Sequence, residues 1–255
     1  MKSRLFFVFS FLSMFAFAQT KSKPSATPAE KLKSPAADHD LEMYRKAVEF
    51  GDYEVARIAM YNLIIRNPDS LNYLDSLVTL YFSLGQMPQC ILAGKQYLSR
   101  DSANLSVMEM VALSYTQLSK NKEALEIYER MFRQTANIYY AYQTAVQQFY
   151  LKRIGECDQT IELIVNHPKS EQEKIAISID QTTQQQVPLK AAALNLRGII
   201  LKEMNMPEKA KISFEESLKV MPDFALAKGN LDALNKPADS TAAPAATEKK
   251  EEKKK

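Results

Sequence analysis

Residues 191–223, AAALNLRGIILKEMNMPEKAKISFEESLKVMPD, read as two amphipathic helices joined by a short turn. Leu194, Gly198 and Leu201 fall on one face of the first helix. Ala210, Phe214, Ser217 and Leu218 fall on one face of the second. Asn205 and Met206 precede Pro207, which suits a first helical turn because the N–H it lacks would go unpaired there anyway. Pro222 ends the second helix. Small residues at Gly198 and Ala210 predict a close approach of the two helices, with Phe214 filling the space beside it.

The same pattern recurs upstream. A first unit, residues 37–70, has Met43, Tyr44 and Ala47, a turn at Gly51-Asp52, then Ala56, Met60, Leu63 and Ile64, with Pro68 at its close. A second, 71–104, has Leu74, Leu77, Val78 and Tyr81, a turn at Gly85, then Cys90, Gly94, Tyr97 and Leu98. Gly94 stands where a large side chain is expected and predicts a gap. A third, 105–138, has Met108, Val111, Ala112 and Tyr115, then Ala124, Tyr128 and Phe132. In a fourth, 139–172, Tyr142, Ala145, Val146 and Phe149 carry the phase, followed by Cys157, Ile161, Ile164 and Val165. Its second helix sits one residue early, which predicts a shortened or irregular turn. A fifth unit, 191–224, contains the opening stretch.

The spacing and residue pattern resemble the tetratricopeptide repeat, a 34-residue helix–turn–helix with W-x2-L-G-x2-Y, then A-x3-F, then P. Leu194, Gly198 and Leu201 take the places of the Trp, Gly and Tyr; Ala210, Phe214 and Pro222 match directly; Arg197 replaces the Leu. The resemblance implies an all-α, right-handed α-solenoid of about five repeats over residues 37–236. It further implies a concave side lined by first helices, which holds a protein or peptide partner.

Two segments depart from the repeat. In residues 173–190, Ile175, Ile177 and Ile179 alternate with Ala176 and Ser178, the two-residue period of a strand. Val187, Pro188 and Leu189 can cross back, so the insertion is expected to be an extended excursion, a hairpin being one form of it; a helical extension of the fourth unit is the alternative. Phe224, Leu226, Ala227, Leu231 and Leu234 then give a capping helix over 225–235, a requirement of stacked repeats.

The chain ends read differently. Lys2 and Arg4 precede an apolar run from Leu5 to Phe17, and Ala16-Phe17-Ala18 forms a small-x-small site before Gln19. Residues 1–18 therefore read as a secretory signal peptide, with an uncleaved anchor as the alternative. The run is short of the roughly 20 residues a membrane span needs. A periplasmic or extracellular location is expected, with no transmembrane span after cleavage. Residues 19–36, rich in Lys, Ser, Pro and Ala, read as a disordered linker, and 237–255 as a disordered Lys/Glu-rich tail.

The net charge of +3 falls to +1 without Lys2 and Arg4, so no global field recruits nucleic acid. Cys90 and Cys157 lie two repeats apart, beyond the roughly 7 Å that bridged Cα atoms allow, and read as buried small residues. His39 and His167 are far apart in the chain, no Gly-rich phosphate loop occurs, and no Ser or Thr has a neighbouring base. The expectation is a non-enzymatic binding scaffold with no cofactor or metal. An assembly subunit using the convex face or the insertion is the alternative. On this register the residues facing a partner are Asn72, Asp75, Thr79, Phe82, Glu109, Thr116, Gln117, Tyr140, Gln143, Gln147 and Tyr150. Amides and hydroxyls among them can bond a peptide backbone, and the aromatic rings offer rigid contact area.

Overall fold

The structure is a computed structural model that describes residues 35–180 and 182–235. The expected signal peptide, the tail and the linker up to residue 34 lie outside the described residues. Among the described residues the fold is all-α apart from one hairpin, and it divides into two compact units at His167/Pro168.

The first unit contains four helical pairs: α1 (Pro35–Glu49) with α2 (Tyr53–Arg66), α3 (Leu71–Ser83) with α4 (Met87–Leu98), α5 (Leu105–Gln117) with α6 (Asn121–Thr135), and α7 (Ile138–Tyr150) with α8 (Ile154–Val165). Each helix packs on the next, and α3 also packs on α5. A continuous core from Met60 and Leu63 through Tyr81, Met108 and Tyr128 to Tyr140 joins the pairs. Side chains start several helices. Asp52, Asn104 and Asn137 accept from the backbone N–H of Val55, Val107 and Tyr139 at 3.2, 3.1 and 2.9 Å. This pairs donors that a helix start otherwise leaves open.

Within every pair, three residues join the helices, and the turn is the same each time. The middle residue is left-handed: Gly51, Gly85, Ser119 and Lys152 in this unit, Asn205 in the next. The residue after it donates back five positions, as in Gln86 N to Tyr81 O and Lys120 N to Tyr115 O, both 2.9 Å. Middle residues donate as well, as in Gly85 N to Phe82 O at 3.1 Å. This double bond pattern closes a helix by pairing its last carbonyls.

The fourth turn is therefore neither shortened nor irregular, contrary to the sequence expectation. The missing residue lies upstream. Leu105 follows Leu71 by 34 residues, but Ile138 follows Leu105 by 33. Only Ala136 and Asn137 separate α6 from α7, with Ala136 left-handed at φ 51°. One residue is about 100° of helical rotation. The buried residues of α7 are accordingly Ile138, Tyr140, Ala141, Thr144, Ala145, Gln147, Gln148 and Phe149; of the residues expected to carry the phase, Ala145 and Phe149 are buried, whereas Tyr142 and Val146 are half-buried.

The second unit begins with the insertion, which is an antiparallel hairpin. β1 (Lys174–Ser178) pairs with β2 (Gln184–Pro188), Ile175 opposite Val187 and Ile177 opposite Gln185. Asp180 Oδ1 accepts from the Thr182 and Thr183 N–H groups at 2.8 and 2.7 Å, forming the turn and holding the Asp180 carboxyl below its usual range. α9 (Leu189–Glu203), α10 (Pro207–Val220) and α11 (Ala225–Asn235) follow. Gln185 ties the hairpin down: its Nε2 donates to Asp223 O at 2.7 Å and its Oε1 accepts from Ala225 N at 3.0 Å. Both bonds fall at the α10–α11 junction.

Small residues decide how closely the helices of a pair approach. Ala56, Cys90, Ala124, Cys157 and Ala210 hold one position on the five second helices, and none is exposed. Both cysteines are free thiols, with Cys157 Sγ bonded to Ala145 O at 3.1 Å. A Cβ on Gly198 would lie 2.4 Å from Phe214 Cε1, so the glycine makes room for the ring. The gap expected at Gly94 does not exist: a Cβ there would lie 2.2 Å from Val111 Cγ2, so a neighbouring valine occupies the space. Gly198→Ala should therefore destabilise by about 1–3 kcal/mol through overpacking. Gly155→Ala, with nothing within 4 Å, should stabilise by up to about 1 kcal/mol. Denaturant unfolding of the two variants measures both signs.

Candidate functional site

The candidate surface lies in the first unit, on α3, α5 and α7. The structure sorts the sequence-predicted residues into three groups. Asn72, Thr79, Gln117 and Tyr150 are exposed. Asp75, Phe82, Glu109, Thr116 and Gln143 are half-buried, with Phe82 packed against the core. Tyr140 and Gln147 do not belong to the open surface. Tyr140 is 8% exposed and packs into the core, and Gln147 is wholly buried. The one-residue slip before α7 explains both. Counting 33 from α5, Tyr140 takes the place of Val107 and Gln147 that of Ser114, both buried core positions.

The same count changes the equivalences. Asp75 on α3 and Glu109 on α5 hold one repeat position, and Tyr142, rather than Gln143, holds it on α7. Tyr139, absent from the sequence-predicted set, becomes the α7 counterpart of Asn72. The Tyr139-Tyr140-Ala141-Tyr142 run was the available signal. It did not reveal which tyrosine faced which way, because that depends on the slip.

Around Glu109 the polar groups cluster. The Gln143 amide and the Glu109 carboxylate both lie close to the Tyr139 hydroxyl. The Tyr139 and Tyr140 rings meet edge to face with centroids 5.3 Å apart. Burial raises the Glu109 carboxyl above the usual carboxylate range, and the Tyr139 hydroxyl pulls it partway back. Burial, then the Glu109 charge, pushes the Tyr140 phenol up to about 12. Tyr139 rises further for the same reasons.

Gln147 Nε2 donates to Thr116 Oγ1 at 3.3 Å, while Thr116 Oγ1 donates to Ala112 O at 3.0 Å. The Tyr128 phenol lies by Thr116 and Glu109, wholly buried, and its hydroxyl makes no hydrogen bond of normal geometry. Gln147 Oε1 and Thr144 Oγ1 are likewise buried and unpaired among the described residues. Around Asp75, burial raises the carboxyl. The Tyr97 hydroxyl, influenced by Asp75, accepts from Asn104 Nδ2 at 2.8 Å. No group of three or more metal-ligating side chains occurs among the described residues, nor does any helix long and apolar enough to cross a membrane.

No protein-family model and no curated protein sequence matches the chain. Solved structures do. A tetratricopeptide repeat protein from Parabacteroides merdae ATCC 43184 is similar at TM-score 0.60 and 16% identity, over 79% of this chain and 73% of that one. YrrB, described as a TPR protein with an unusual peptide-binding site, is similar at TM-score 0.57 and 13% identity, over 76% and 90%. MamA protein is similar at TM-score 0.55 and 15% identity, over 73% and 92%.

The unpaired buried groups give a direct test of local energetics. Tyr128→Phe removes a hydroxyl that is desolvated without a normal hydrogen bond. It should leave stability unchanged or raise it by about 1 kcal/mol, whereas Gln147→Ala should cost about 1–3 kcal/mol through lost volume and an altered Thr116 environment; thermal unfolding compares the two. With its left-handed turns, packed small-residue positions and similarity to these solved structures, the chain has the fold of a tetratricopeptide-repeat solenoid.

Proposed function

We propose that this protein is a non-enzymatic scaffold of the cell envelope that holds an extended segment of a partner protein against α3, α5 and α7. The observation that carries the reading is the half-buried polar group of Gln143, Tyr139 and Glu109 on α5 and α7, together with the exposed Asn72 and Thr79 on α3. Amides and hydroxyls held by helices are positioned before a partner arrives. A segment bound there would therefore pair its backbone groups at small ordering cost to the scaffold. The resemblance of the fold to a protein with a peptide-binding site supports the same reading.

Export is part of the proposal and rests on the pattern of residues 1–18. Mass spectrometry of the protein recovered from cells should find a mature N-terminus at Gln19. An intact N-terminus in a cytoplasmic fraction would remove the envelope from the reading.

Crosslinking in intact cells should attach one reproducible protein partner. Replacing Asn72, Thr79 and Gln143 together by alanine should reduce that capture severalfold with the melting temperature held. Capture that survives these changes, yet is lost on replacing Ile58 and Ile65 by lysine, would move the contact elsewhere. Those residues are 54% and 75% exposed on α2, and that result would favour the assembly-subunit reading.

A further inference from the structure

Asp75 and Glu109 hold one repeat position on helices that pack directly against each other. Both are half-buried, and no lysine or arginine among the described residues forms an ion pair with either. A partly desolvated carboxylate without a countercharge is costly, and a fold keeps two at one repeated position at a loss of stability. Their other neighbours do not supply positive charge. Asp75 has the Tyr97 hydroxyl nearby; Glu109 has Tyr139 and the buried Tyr128. Two half-buried carboxylates without a countercharge call for positive donors.

Resting on the groove reading above, we propose that the bound partner segment is basic, with lysine or arginine side chains that pair with Asp75 and Glu109. Packed helix axes lie about 8–10 Å apart. Residues two apart in an extended chain point to the same side about 7 Å apart. An alternating segment, with a basic residue at every second position, therefore reaches both carboxylates using the flexible lysine stems. The Gln143 and Tyr139 groups meet its backbone, and the carboxylates select its side chains.

Fluorescence anisotropy with two labelled hexapeptides, Lys-Ser-Lys-Ser-Lys-Ser and Gln-Ser-Gln-Ser-Gln-Ser, tests this on the full chain. The lysine peptide should bind about tenfold or more tightly than the glutamine peptide. The double variant Asp75→Asn/Glu109→Gln keeps the side-chain shapes and should erase that preference with the melting temperature held or raised. A control variant, Glu123→Gln/Glu126→Gln, removes the same charge from exposed α6 positions and should keep the preference. Equal binding of the two peptides to the native protein overturns the proposal, as does a preference that both variants lose alike. Capture of the cellular partner separates this from the groove reading. If it depends on Asn72, Thr79 and Gln143 but not on Asp75 and Glu109, the groove stands and the basic specificity fails. Light scattering covers a second copy as the occupant. Self-association that disappears in the Asp75→Asn/Glu109→Gln variant would overturn the assignment to a separate partner.

Discussion

Each helical pair depends on one close approach, at the place where Ala56, Cys90, Ala124, Cys157 and Ala210 stand. A larger side chain there would push the second helix off the first, and protein interiors have no spare volume to absorb the change. The glycines extend the same constraint. Gly198 leaves room for Phe214, and Gly94 leaves room for Val111 on the following pair. Close packing between neighbours keeps the helices of a repeat array in register, and stability accumulates pair by pair from such local contacts.

The turns complete this constraint. Three residues with a left-handed middle position close every first helix, whether the residue is Gly51, Gly85, Ser119, Lys152 or Asn205. Glycine adopts that conformation freely, and asparagine tolerates it better than most residues. Ser119 and Lys152 take it at some cost, outweighed by the two backbone bonds that each turn makes. The geometry of the pair therefore dictates the turn even where the local sequence does not favour it.

Most of the fold was legible because its signals are apolar and periodic. The extended character of the insertion was legible too, since Ile175 and Ile177 alternate with smaller or polar residues. The face of α7 was not. Its sequence, IYYAYQTAVQQFY, offers apolar residues at two helical phases, and its true buried side includes Thr144, Gln147 and Gln148. Polar residues on the inside conceal a core face from any reading of hydrophobic spacing. Of the candidate surface, Asn72 and Thr79 are open as expected, whereas Tyr140 and Gln147 are buried because of the shift. The burial of Glu109, which depends on packing between helices, could not be read from its own stretch of chain.

The two-residue junction at Ala136 and Asn137 has a practical meaning for anyone who redesigns this scaffold. Substitutions that work on α3 or α5 cannot be copied to α7 by adding 34. The transfer must use 33 from α5, or the new side chain lands on the core side. A graft counted the ordinary way would place a recognition residue where a packing residue belongs and would lose both. The short junction is therefore a frameshift in the architecture: the helices remain intact on either side of it, while the correspondence between sequence position and exposed face changes.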